Sequence, residues 1–233
     1  MCLFQTVVNQ TAMTKIEQLV FNHIEENTYI VYDSTKRCAV IDPGMESQSE
    51  RDSFDAFVAN HGLQLSAVLI THTHVDHIAG LQHVAECYPA PVYMHAEAME
   101  ILSQSGVYAS VMGFEMGDVS QLKFNYLDTG DTVTVGNSQF EARHVPGHAD
   151  GSLVFCLHSG KAVFTGDALF CQSIGRTDLP TGNYDLLIEK LKSQVLTLPD
   201  DYEVFPGHGP KTTVRQEKRN NPFLNPAHNW RTM

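Results

Sequence analysis

The feature that most constrains this chain is Ala67-Val68-Leu69-Ile70-Thr71-His72-Thr73-His74-Val75-Asp76-His77, where an apolar run leads directly into a dense set of metal-type ligands. An uninterrupted apolar run of this kind reads as a strand buried on both faces, so the ligands sit at the C-terminal end of a central strand. His72 and His74 lie two apart in extended chain and point to one side. Beyond them Ile78, Leu81, Val84 and Ala85 form an apolar stripe that ends before Tyr88-Pro89, so Asp76 and His77 open a helix and face a second position nearby. Nitrogen and oxygen donors at this density suit borderline divalent ions such as zinc or iron.

The rest of the chain reads as a scaffold for that segment. β-rich runs at 16–21, 28–33 and 38–42 suggest a strand meander stopped by Asp42-Pro43-Gly44, and Phe54, Phe57 and Val58 set helical spacing from Ser49 to Asn60, with His61-Gly62 as its stop. A short strand at Pro91–Met94 and a helix from Ala96 to Ser103 follow. The Gly- and Met-rich stretch 104–121 shows no periodicity and reads as a loop. Strands resume at 122–127, 132–135, 138–145, 152–158 and 161–166, followed by a helix at Asn183–Leu196, a strand at Glu203–Phe205 and a helix at about 210–219. Strand groups followed by helices occur twice, which predicts an α+β fold, a four-layer αββα sandwich of two mixed β-sheets flanked by helices. A chain of 233 residues, 42% hydrophobic, can close one large core. That domain is read as 13–233, with residues 1–12 expected outside the fold because Met13 opens an ordinary start followed by a strand.

Composition removes several classes of partner. The formal charge of −12 repels phosphate backbones, so neither nucleic acid nor an anionic membrane is expected. No run approaches the roughly 18 to 20 apolar residues of a membrane span, and the N-terminus lacks the basic region of a secretory signal. Five cysteines without close pairing look like reduced thiols of a cytoplasmic protein. Cys2, Cys38, Cys87 and Cys156 sit in or beside apolar runs where small buried hydrophobes are expected, and Cys171 lies near a later motif.

Three further candidates each follow a β-run, which would gather them on one edge of the sandwich: His148 in Pro146-Gly-His-Ala-Asp-Gly-Ser152, Asp167 in Thr165-Gly-Asp167, and His208 in Pro206-Gly-His-Gly209. Glycines beside each let the backbone approach a metal closely. Among the other histidines, His83 and His95 are placed on helix surfaces, and His23, His61, His158 and His228 in turns or the tail. His144, four before His148, is the candidate for supporting a ligand from behind. Lys211, Arg215, Lys218 and Arg219 at helical spacing read as a solvated face.

These motifs resemble those of the metallo-β-lactamase fold superfamily, and within it the short, single-domain glyoxalase II-like hydrolases. The resemblance runs from the first meander through Pro206-Gly-His-Gly-Pro210 to Glu217-Lys-Arg-Asn-Asn-Pro-Phe-Leu224. It implies two divalent metal ions, zinc first, with iron or manganese as alternatives. His72, His74 and His148 would hold one, Asp76, His77 and His208 the other, with Asp167 bridging. Asp76 and Asp167 are then the catalytic carboxylates, and a metal-bridging hydroxide attacks a small thioester such as S-D-lactoylglutathione. Arg176, in Gly175-Arg-Thr-Asp178, matches a substrate-gripping base suited to a carboxylate. The Gly166-Asp-Ala-Leu-Phe170 segment argues against the β-lactamases themselves. Gly175-Arg-Thr-Asp178 also appears in persulfide dioxygenases of the same fold, which would hold one iron on His72, His148 and Asp167. That is the alternative reading.

Overall fold

The computed structural model describes residues 14–225; the segment 1–12, Cys2 and His228 lie outside them. The first sheet begins as an antiparallel meander of β1 (Lys15–Phe21), β2 (Glu26–Tyr32) and β3 (Arg37–Ile41). Helix α1 (Gln48–Asn60) then crosses over the sheet and returns the chain as β4 (Gln64–Leu69), parallel to β3. Parallel neighbours need such a crossover. Ser47 starts α1 with a capping box, its hydroxyl accepting from Glu50 N while Glu50 reaches back to Ser47 N. After β4 come α2 (Val75–Ile78), α3 (Leu81–Cys87), β5 (Val92–Met94), a short 3₁₀ turn, α4 (Met99–Ser103), α5 (Ser105–Met112) and β6 (Phe124–Tyr126), with β5 and β6 extending the parallel half.

The second sheet is laid down by β7 (Thr132–Val135), β8 (Ser138–His144), β9 (Leu153–Leu157) and β10 (Ala162–Gly166), all antiparallel. A small hairpin, β11 (Leu169–Phe170) and β12 (Ser173–Ile174), leads to α6 (Tyr184–Lys190). This helix carries the crossover to β13 (Glu203–Pro206), parallel to β10, before β14 (Thr212–Thr213) and α7 (Val214–Asn220). Each sheet has six strands, ordered β1-β2-β3-β4-β5-β6 and β14-β13-β10-β9-β8-β7.

Alternation along the central strands makes the four layers. On β2, Tyr29 and Val31 face the second sheet while Ile30 and Tyr32 pack under α1 and α3; on β4, Ala67 and Leu69 face one way and Val68 the other. On β9, Leu153, Phe155 and Leu157 meet the first sheet, and Val154 and Cys156 pack under α6. Strands buried on both faces carry no polar side, which is why they read as unbroken apolar runs. Between the sheets, Phe164 stacks on Phe205 at 5.2 Å and Tyr29 meets both edge-on. Each such ring contributes roughly 1.5 to 3 kcal/mol by leaving water.

Three expectations change. The stretch 104–121 is not all loop, since α5 occupies Ser105–Met112. The helix placed at 210–219 starts only at Val214, behind strand β14. Cys87, expected to be buried, is exposed, while Cys38 and Cys156 are buried as expected. No helix among the described residues is long and apolar enough to cross a membrane. The basic face is a solvated one: Lys211 pairs with Glu203, and Arg215 and Lys218 with Asp200.

Candidate metal centre

All seven sequence-predicted ligands converge where the C-terminal ends of β4, β8, β10 and β13 meet. His72 and His74 leave β4 in extended chain, and α2 opens immediately after His74, turning Asp76 and His77 inward. The donor atoms of His72, His74 and His148 lie within 4.8 Å of one another, as do those of Asp76, His77, Asp167 and His208. Asp167 sits between the two groups. Its Oδ1 is 3.2 Å from His77 Nε2, and its Oδ2 is 3.7 Å from His148 Nε2 and 3.8 Å from His208 Nε2.

Hydrogen bonds on the outer nitrogens fix which ring atom faces the cluster. Asp42 accepts from His77 Nδ1 at 2.9 Å and from the Thr71 amide and hydroxyl at 2.7 and 2.6 Å. Thr71 has one hydroxyl proton and gives it to Asp42, so His72 Nδ1, 3.0 Å away, donates to Thr71 Oγ1. His148 Nδ1 donates to the Arg176 carbonyl, and His208 Nδ1 to the carbonyls of Ile24 and Glu25. Each of these four rings therefore turns its Nε2 inward, the orientation a metal ligand needs. His74 is the exception and presents Nδ1, 3.0 Å from His148 Nε2. Asp42 achieves its placement in the left-handed region, at φ 51°, where a non-glycine residue costs roughly 1 to 2 kcal/mol.

The electrostatics describe a donor set in want of a cation. Burial, reinforced by His77 and His74, drives His72 well below its ordinary pKa, and burial with the neighbouring His148 takes His74 to about 4. Both rings are neutral at pH 7. Burial would also depress His77, but Asp76 and Asp167 outweigh it and raise His77; burial would raise Asp167, but His77 outweighs it and lowers Asp167. Among the described residues, His72 Nε2, His77 Nε2 and Asp167 Oδ1 are buried without a hydrogen-bond partner. Orphaned buried lone pairs are costly unless a cation takes them up, so this nitrogen and oxygen set fits divalent metal.

Residues 24–208 match the family model of the metallo-β-lactamase superfamily. The chain belongs to that superfamily. Its members are hydrolytic metalloenzymes that bind divalent metals. This superfamily member is 36% identical to a probable metallo-hydrolase of Streptococcus pyogenes, over 92% of each chain. It is 33% identical to the hydroxyacylglutathione hydrolase GloC of Haemophilus influenzae, over 90% of this chain and 98% of that one. Among solved structures, BLEG-1 B3 metallo-β-lactamase superposes with a TM-score of 0.82 at 32% identity, covering 91% of this chain and all of that one. TTHA1623 in a di-iron-bound form gives 0.80 at 34%, covering 89% and 100%.

A cavity of about 250 Å³ opens above the cluster, with His74, Asp76, His148, Asp167 and His208 among its lining residues. Arg176 reaches its rim, but its guanidinium is exposed and forked onto Asp178, with Nε and Nη2 each donating at 2.8 Å. A larger cleft of about 910 Å³ beside Met116–Phe124 is lined by none of the candidate ligands, so the chemistry belongs to the smaller one. His144 does not stand behind His148. It stacks on His95 at 3.9 Å and faces Glu97, and His95 is buried rather than on a helix surface.

Two carboxylates escaped the sequence reading. Asp42 reads from the sequence only as part of a turn, although an aspartate directly after a buried strand carries the same signal as Asp167. Glu26 is wholly buried, with Oε1 3.9 Å from His77 Nδ1, and burial pushes its pKa well up, only partly countered by His77. Its place at the start of a β-run gives no hint of this.

Proposed function

We propose that this chain is a binuclear metallohydrolase that cleaves a small thioester, with hydroxyacylglutathione as its reference substrate. The observation that carries the reading is Asp167, whose carboxylate reaches both ligand groups, Oδ1 toward His77 and Oδ2 toward His148 and His208. His72, His74 and His148 would hold one ion and Asp76, His77 and His208 the other, with Asp167 shared. Zinc is the proposed metal, and the di-iron form of a similar structure makes iron the next to test. Similarity to GloC over nearly the whole of both chains supports the thioester. The unpaired, partly buried thiols support a cytoplasmic setting.

Two divalent cations would lower the pKa of bound water to about 7 and polarise a carbonyl. The chain's own residues do the rest. Thr71 and Asp42 lock the rings of His72 and His77 so that the cluster needs no rearrangement on turnover. Asp76, on the cavity lining with Oδ2 3.0 Å from His208 Nε2, orients the attacking water. Water oxygen adds to the carbonyl carbon, the C–S bond breaks, and the thiolate leaves without a strong general acid.

The test is metal analysis of one purified sample beside three assays: hydrolysis of S-D-lactoylglutathione, oxygen uptake with glutathione persulfide, and cleavage of a β-lactam. About two metals per chain with thioester cleavage supports the proposal. Oxygen uptake without thioester cleavage would install the mononuclear iron reading on His72, His148 and Asp167, and β-lactam cleavage alone would place the chain functionally with BLEG-1.

A further inference from the structure

The ligands account for the floor of the cavity and leave its walls unexplained. Those walls are Ile24, Ile101, Tyr108, Met112, Leu179 and Pro180. Ile24 is 39% and Met112 49% exposed. Large apolar side chains left in water beside a reactive centre mark a surface that apolar matter covers. Helix α5 supplies this wall in an unusual way: Ser105 and Ala109 are its buried residues, and Tyr108 and Met112 turn toward the cavity.

Charge points the same way. Among the described residues Arg176 is the one Lys or Arg on the cavity lining, and two of its donors, Nε and Nη2, are engaged with Asp178. An arm bearing free carboxylates would have to compete with Asp178 for that guanidinium, and desolvating it against Ile101 and Leu179 would be unfavourable. Resting on the hydrolase reading above, the geometry points to a thioester whose acyl arm is an unbranched apolar chain, laid between the Tyr108 and Met112 side of α5 and Leu179-Pro180, with the thiol arm directed out to solvent. With a volume of about 250 Å³, the cavity has room for the reacting carbonyl and a short acyl tail rather than a long one. The step itself is unchanged: water and the thioester give the carboxylic acid and the free thiol.

The experiment keeps the thiol constant. Metal-loaded enzyme is assayed with S-acetyl-, S-butyryl-, S-hexanoyl- and S-D-lactoylglutathione, reading kcat/KM for each. The expected result is a rise of about fourfold per buried methylene up to hexanoyl, with D-lactoyl below butyryl. Met112→Gln and Leu179→Asn should each lower the hexanoyl-to-acetyl ratio by about fourfold or more, and Met112→Leu should restore it. Val111→Gln, on the same helix but 79% exposed and off the cavity lining, should leave the ratio as it is. D-lactoyl as the preferred substrate, or a ratio near one, overturns the inference while the hydrolase reading stands. No cleavage of any of the four removes both.

Discussion

In the first sheet, four candidate ligands come from one short stretch at the end of β4, whereas the second sheet sends three singly from the turns after β8, β10 and β13. The first set is placed by local geometry, an extended dipeptide followed by a helix start, and needs only Asp42 to lock two of its rings. The second set is placed by docking. Gly207 N donates to the Gly166 carbonyl, Asn27 N to the Gly207 carbonyl, and Asn27 Nδ2 to the carbonyls of Pro206 and Gly209. A local set fails ligand by ligand, and a docked set fails when the sheets shift.

Asp167, from the docked set, faces His77 of the local set as well as His148 and His208 of its own, and its loss should have the largest effect. Asp167→Ala should lower kcat/KM by more than the 10- to 100-fold that outer-shell changes cost, and metal content should fall below two per chain. Two metals retained with near-normal turnover would show that the two groups work separately. Next, Asp42→Asn should weaken metal affinity by about 10- to 100-fold, measured by competition with a chelator, because it leaves the His77 and Thr71 donors poorly matched. An unchanged affinity would mean that the local set needs no lock.

Gly207→Ala probes the docked set. A Cβ there would stand 2.5 Å from the His77 ring and against the Asp167 carboxylate, an overpacking worth about 1 to 3 kcal/mol in chemical denaturation. Gly209→Ala, with open space around it but φ at 71°, should cost only the strain of a left-handed residue, roughly 1 to 2 kcal/mol. Gly207→Ala should also weaken metal affinity and Gly209→Ala should not, and an equal effect on affinity would mean that close approach to His77 and Asp167 is not what Gly207 provides.

The smallest effect is expected at the far end of the sheets. There Asp33 accepts from Thr35 and from the Asn137 amide in the β7–β8 turn. Burial would raise its pKa, but these bonds outweigh it and hold the carboxyl below its ordinary value. The stabilisation is therefore present above the unfolded pKa of about 4 and is lost as pH falls through the depressed native value. Asp33→Ala should cost about 1 kcal/mol at pH 7, and the gap from wild type should narrow as pH falls below the ordinary carboxylate range. A gap that is flat with pH would refute the charged bond.

The same contrast decides how much could be read from the sequence. His72 to His77 was legible because strand and helix periodicities place neighbours without knowledge of the rest. His148, Asp167 and His208 were legible only as turn residues after β-runs, joined by resemblance. Helix α5 was missed because its surface is inverted: Val107, Val111 and Met112 are exposed while Ser105 and Ala109 are buried. His144 was misplaced because its four-residue spacing from His148 has no meaning where a strand passes into a turn. The layered fold was recovered, since strands buried on both faces announce themselves.

The bridge between Glu26 and His208 also sets an order of events. Synthesis makes the His72 to His77 stretch long before Pro206–Gly209 exists, and the last ligand is seated only when that turn docks against the start of β2. A metal ion met before then would find only part of the set, with His72, His74, Asp76 and His77 available but His148, Asp167 and His208 not yet docked.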